Sequence, residues 1–282
     1  MKTKFLLFIL ISIGSIGMNI ASAQNLNISF LLDLSDRIDP KKNPSTAMQY
    51  YQRDVQYIKS VEKAFINHVK QKKIIQLKDQ MQVFFDPAPQ NPMIDKLSNQ
   101  LKVAFDRFSS KKSIMDIDNI FSTIPIKIYQ SAIKDNQYIG SDIWKFFQKK
   151  VKNYCIQDNH RNILVIITDG YMYHENSKVT TGNRSSYITP AFIKAKKLTS
   201  ADYKAIIKKS NLGFIPATTG LQNLEVLVLG INPSKGNPFE EEVINEYWSD
   251  WFRKMNVKKF NILSADLPAD LDPVIQKIIS GK

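Results

Sequence analysis

The 282-residue sequence holds one cysteine, three histidines and ten glycines. With Cys155 alone no intrachain disulfide can form, and the paired-cysteine spacings of zinc ribbons and iron–sulfur sites are excluded. The sequence has no glycine-rich phosphate loop, no Gly-x-Ser-x-Gly elbow and no His-Glu-x-x-His. A phosphate-transferring aspartate enzyme would want a second Asp two residues after Asp33, where Ser35 stands. Of the histidines, His68 falls on a helix face and His160 before a strand, and only His174, with Glu175, lies near the polar cluster described below. Long apolar runs are also scarce, and beyond the first 23 residues none reaches the ~20 residues a membrane span needs.

The start of the chain reads as a targeting segment. Lys2 and Lys4 precede an apolar run from Phe5 to Ile11, which softens at Gly14 and Ser15 and closes on Ala21-Ser22-Ala23. A positive start, a short apolar middle and a small-x-small end predict a secretory signal peptide over residues 1–23, cleaved between Ala23 and Gln24. The expected location is therefore extracytoplasmic, in the periplasm or at the cell surface. Removing Lys2 and Lys4 takes the formal charge from +13 to +11. The lysines are spread as pairs such as Lys41-Lys42, Lys111-Lys112 and Lys258-Lys259, which predicts a solvated basic surface and no nucleic-acid partner. A weak, salt-sensitive attraction to anionic envelope surfaces is compatible with that charge.

The mature chain, 24–282, reads as one domain. Asn27 to Leu34 is a buried strand that delivers Asp33 at its end. Tyr50 to Lys70 is an amphipathic helix with Val55, Ile58, Val61, Phe65 and Val69 on one face. Met81 to Phe85 is a second strand. Leu101 to Asp106 alternates like a half-exposed antiparallel strand, with a helix over Ile94 to Phe108 as its rival, and Ile114 to Gln137 carries no decisive pattern. A helix is expected from Asp142 to Tyr154, with Tyr154 on its buried face and Cys155 packed at its end. Ile163 to Ile167 is apolar on both faces, as a central parallel strand is. About fifty residues, 171–223, then show no strand and form an insertion. Leu224 to Leu229 is a strand, Asn237-Pro238 opens a helix striped by Val243, Tyr247 and Trp251, and Phe260 to Leu263 and Leu271 to Ile279 complete the alternation. Strands alternating with helices predict a doubly wound, mostly parallel α/β sheet with helices on both faces.

In such a sheet ligands bind beyond the C-terminal strand ends, where the winding reverses. Asp33-Leu34-Ser35-Asp36-Arg37 ends the first strand, Thr168-Asp169-Gly170 ends the central one, and Gly140-Ser141-Asp142 precedes a helix. Two carboxylates and two hydroxyls are hard oxygen ligands of the kind that suits Mg²⁺ or Mn²⁺. Each piece has a plain structural use as well, Asp-Gly as a turn and Ser-Asp as a helix cap.

In this order and context the residues resemble the von Willebrand factor type A domain family. The resemblance implies a metal-ion-dependent adhesion site with Asp33, Ser35, Ser141 and Asp169 as ligands, Ser141 standing in place of the family's threonine. Asp36 and Asp142 would act from outside the ligand set. Arg37 departs from the pattern, standing where the second serine should be. It either turns inward, pairs with Asp33 or Asp169 and replaces the ion, or points away and leaves water in the serine's place.

The resemblance implies an exported, non-enzymatic binding domain that captures a protein partner, through an acidic side chain where the metal is kept. The insertion is expected either to form a lid or partner-reading surface carrying Tyr171, Tyr173, Arg184 and Tyr187, or to be a peripheral helical elaboration. Two alternatives stay open: a metal-free envelope scaffold locked by Arg37, and a metal-dependent hydrolase of anionic substrates, for which no base or nucleophile is evident.

Overall fold

The computed structural model describes residues 24–138 and 140–281, so the predicted signal peptide lies outside the described residues. The chain order is β1 (Asn25–Leu32), α1 (Tyr50–Lys70), β2 (Gln80–Phe84), α2 (Pro92–Ser98), β3 (Val103–Ala104), α3 (Lys111–Asp135), α4 (Ile143–Lys149), α5 (Val151–Cys155) and β4 (His160–Ile167). It continues with β5 (Thr180–Thr181), β6 (Arg184–Ser185), α6 (Pro190–Ala195), α7 (Tyr203–Ser210), β7 (Gly213–Phe214), β8 (Leu224–Ile231), α8 (Glu240–Lys254), β9 (Lys259–Ser264) and α9 (Pro268–Ser280).

Six strands form one sheet in the order β3-β2-β1-β4-β8-β9. All neighbours are parallel except β2 and β3. Winding runs outward in both directions from the β1/β4 pair, the doubly wound pattern whose switch point lies between those two strands. The two faces can be read from the strands themselves. Ile28, Phe30 and Leu32 of β1 and Ile163, Val165 and Ile167 of β4 pack in the core that holds α1, α3 and α9. Leu31, Leu164 and Ile166 point the other way, into the core of α4, α5, α8 and the insertion. Side chains alternate across a strand, so a run apolar at every position is buried on both sides.

Several expectations are corrected. The undecided stretch 114–137 is helical as far as Asp135, within the 25-residue α3, capped by Ser110, whose side chain accepts the Ser113 N–H while the Ser113 hydroxyl accepts the Ser110 N–H. Its stripe of Ile117, Phe121, Ile124 and Ile128 is interrupted by Pro125, which weakens the helical signal. The antiparallel strand at 101–106 shrinks to Val103–Ala104 on β2, and a helix fills 92–98 ahead of it. The single helix expected over 142–154 is two short ones meeting at Lys150, and Tyr154 is 54% exposed, its ring set edge-on against Phe84. Asn237 starts a turn, and α8 begins three residues later at Glu240. The insertion is not strandless: β5, β6 and β7 make a small second sheet. Cys155 is buried as expected, its thiol pushed up to about 12 by burial.

Candidate functional site

The switch point brings the ends of β1 and β4 side by side. The Asp33 N–H donates to the Ile167 carbonyl at 3.0 Å, and the Thr168 N–H to the Leu229 carbonyl at 3.1 Å, so the ladder bonds carry the two acidic turns out together. Asp33 is buried and both its oxygens are engaged. Oδ1 accepts the Ser35 N–H at 2.9 Å, and Oδ2 accepts the Thr168 hydroxyl at 3.0 Å. Gly170 makes the second turn possible. Its φ is +97°, and a Cβ there would lie 2.8 Å from both Ile231 Cδ1 and Ile244 Cγ2.

Arg37 turns inward. Its Nη2 donates to Asp54 Oδ2 at 2.6 Å, to the Asp33 carbonyl at 3.1 Å and to the Ile167 carbonyl at 3.2 Å, and its Nε stands 3.4 Å from Asp33 Oδ2. The side chain is only 8% exposed and its Asp54 partner 2%. Asp54, on the inner face of α1, was not a sequence candidate. The available signal was a carboxylate next to Val55 on the stripe that also holds Ile58 and Val61. Burial raises the Asp54 carboxyl above its ordinary range, and the guanidinium pulls it back only in part. Burial also opposes the charge on Arg37, but Asp54 and Asp33 more than offset it and hold the guanidinium charged more firmly than usual.

Asp169 sits half-buried at the rim, its Oδ1 accepting the Tyr171 N–H at 3.1 Å. Burial, and next the charge of Asp33, push its carboxyl up to about 7 against the pull of Arg37. With Arg37, Lys42, Tyr50, Asn232 and Lys235 it lines a cavity of about 340 Å³. Ser35 and Asp142 line a different cavity, and the buried Ser141 hydroxyl has no hydrogen-bond partner. Asp142 caps α4, its Oδ1 accepting the Lys145 N–H at 3.0 Å, and Asp36 is exposed beside Lys42.

These residues do not fit a divalent ion as they stand. A permanent cation 3.4 Å from Asp33 Oδ2 takes the charge and the place an ion at that carboxylate would need, and Asp33 has hydrogen-bond donors on both oxygens. Of the implied set, the Ser35 and Ser141 hydroxyls and the second oxygen of Asp169 are left open, but Ser35 lines a different cavity from Asp169, and Asp169 shares its own with the Arg37 guanidinium. Among the described residues, no group of three or more His, Cys, Asp or Glu side chains is arranged to hold a metal.

Three of the four partner-contact candidates have structural work. The Tyr171 hydroxyl donates to Glu240 Oε1 at 2.5 Å and accepts the Ser234 N–H at 2.7 Å. Arg184 is paired with Asp250 and donates to the Phe214 carbonyl at 2.9 Å, fastening the small sheet to α8. Tyr187 packs its ring against Phe192, with centroids 5.3 Å apart. Tyr173 alone is open, 43% exposed, with its hydroxyl on Glu175.

Fold and crevice together define a doubly wound α/β domain whose switch point is closed by a buried ion cluster. No family model matches the chain, and no curated protein matches it by sequence. Among solved structures it is similar to an aerotolerance-related membrane protein from Bacteroides fragilis NCTC 9343 with multiple mutations to serines, at 13% identity and TM-score 0.38, over 92% of this chain and 100% of that one. It is also similar to proximal thread matrix protein 1 from the mussel byssus, at 12% identity and TM-score 0.37, over 92% of this chain and 46% of that one. A third is the pilus adhesin SpaC from Lactobacillus rhamnosus GG in its open conformation, at 9% identity and TM-score 0.40, over 92% of this chain and 30% of that one. Likenesses this distant say nothing of the site's chemistry.

Proposed function

We propose that the chain is an exported binding module of the von Willebrand factor A type that engages a protein partner without a resident divalent ion. The observation that carries this reading is the Arg37 guanidinium, seated on Asp33 and Asp54 at the point where the family resemblance would put the ion. The crevice then acts as a fixed support for the surrounding loops, and contact falls to side chains displayed around it. Export rests on the Lys2 to Ala23 pattern. Among the described residues no helix is long and apolar enough to cross a membrane.

The test is co-purification of the tagged chain with its partners from the envelope fraction, with chelator or with millimolar Mg²⁺ throughout. Equal recovery in both supports the reading. Partners that come down only with Mg²⁺, and are lost with Asp169→Ala, contradict it.

A further inference from the structure

Opposite the crevice lies the end of the sheet where the parallel strands begin and α1, α5, α8 and α9 finish. Hydrogen bonds tie its turns together. The Lys78 N–H donates to Asn25 Oδ1 at 3.3 Å, the Phe105 N–H to the Asp79 carbonyl at 2.8 Å, the Lys258 N–H to the Leu224 carbonyl at 3.0 Å, and Arg161 Nη2 to the Ile278 carbonyl at 2.8 Å. The segments that meet here, 70–79, 105–113, 152–161, 222–225, 253–259 and 277–281, hold fourteen Lys and Arg against four Asp and Glu. The turns of the crevice end, 33–42, 85–91, 136–143, 168–177, 232–242 and 264–272, hold four against thirteen. Charge is therefore segregated along the strand direction, and pairs remote in sequence, Lys111-Lys112 and Lys258-Lys259, gather at one end.

Helix stability accounts for only part of this. Lys70, Lys152, Arg253, Lys254 and Lys277 stand in last turns, where the helix dipole favours a cation. Lys111 and Lys112 stand in the first turn of α3, where it disfavours one, and that turn holds no acid. The buried acids of this end are already spent, Asp79 on Lys72 and His68 and Glu225 on Arg161 and Lys258. Lys73, Lys78, Arg107, Lys111, Lys112 and Lys259 are exposed and, among the described residues, paired with no acid.

Two large apolar side chains stand out into solvent among these cations. Phe108 is 78% exposed and Ile75 is 75% exposed. Phe108 is carried on a fixed turn: Asp106 Oδ1 accepts its N–H at 2.8 Å, the Asp106 carbonyl accepts the Ser109 N–H at 3.1 Å, and the Arg107 guanidinium lies 4.7 Å from the ring centroid. An exposed aromatic ring among unpaired cations suits the headgroup level of an anionic bilayer, which accommodates both. Gln24 also leaves from this end, because its neighbour Asn25 accepts from Lys72 and Lys78. The apolar run Phe5 to Ile11 that precedes it is thus attached on the basic side.

We propose that this end rests on an anionic phospholipid bilayer, with the lysines and arginines at the headgroup phosphates and the Phe108 ring entering between them. The strands then point away from the membrane and the crevice end stays free. The proposal goes beyond the binding-module reading and does not depend on it.

The test is co-sedimentation of the mature chain with vesicles of phosphatidylcholine carrying phosphatidylglycerol, beside vesicles of phosphatidylcholine alone. Binding is expected to the first only, and to fall steeply as NaCl is raised. Lys111→Gln with Lys112→Gln is expected to weaken it roughly ten-fold or more. Lys194→Gln with Lys204→Gln removes the same charge from α6 and α7 of the insertion, where Tyr203 packs near Phe239 at the start of α8, and is expected to leave it unchanged. Phe108→Trp, at a position largely in water, is expected to bind as the native chain does and to shift its indole emission to the blue when the anionic vesicles are added. No binding to those vesicles overturns the proposal, as does an equal loss in the two double variants, which would make the attraction diffuse. Binding without a blue shift in Phe108→Trp would mean charge contact alone, as with any polyanion, and also overturns it.

Discussion

Arg37 Nη2 lies 2.6 Å from Asp54 Oδ2, joining the turn after β1 to the buried face of α1 through a pair almost wholly withdrawn from water. Such a pair adds little over an apolar replacement, but breaking it leaves one charge buried alone. Arg37→Ala is expected to lower the unfolding free energy by about 3–5 kcal/mol, read by urea denaturation. Arg37→Met with Asp54→Leu is expected to recover much of that loss.

At the other end of β1, Asp79 is fully buried and accepts the Leu26 N–H at 2.8 Å, with Lys72 Nζ at 2.7 Å and His68 Nε2 at 3.2 Å. Burial alone would raise its carboxyl, but the bonds from His68, Lys72 and Leu26 more than offset that and hold it below the ordinary range. A carboxylate depressed in the folded state contributes its full stability above the unfolded value and loses it as pH falls through the folded one. Unfolding free energy is therefore expected to fall on acidification below about pH 4, with a shallower slope in Asp79→Asn.

Gly170 is the residue of the Thr-Asp-Gly turn that no other side chain can replace. With φ at +97° and two isoleucine methyl groups in the way, Gly170→Ala is expected to cost about 2 kcal/mol or more, seen as a lowered melting temperature.

Tyr171 holds the insertion to α8 through Glu240, which is 3% exposed. Tyr171→Phe leaves that carboxylate short of a donor and is expected to cost about 1–3 kcal/mol, with faster amide exchange confined to the insertion and the start of α8.

The parallel strands were legible because β1 closes on Phe30-Leu31-Leu32, β4 on Ile163 to Ile167, and β8 carries Val226 to Leu229, and the acidic turns that follow the first two runs have only the crevice to enter. Arg37 was legible as a departure, but its direction was not. The partner that draws it inward, Asp54, sits 17 residues on and reads as one polar residue in a helix. The insertion's strands are two residues each, too short for any periodicity to register. The basic end depends on Lys73, Lys111 and Lys258 gathering from three separate turns, which no local pattern announces.

The measurement that bears most directly on the closed crevice is the melting temperature of the mature chain in chelator and in millimolar Mg²⁺ or Mn²⁺, beside Arg37→Ser and Asp169→Ala. An ion binding only the native state at 100 times its dissociation constant adds about 2.7 kcal/mol, a shift of several degrees in a domain of this size. The native chain is expected to melt at the same temperature in both conditions, and Arg37→Ser, with the guanidinium gone and a hydroxyl restored, to gain a metal-dependent rise. A rise of several degrees in the native chain, abolished by Asp169→Ala, would contradict the account.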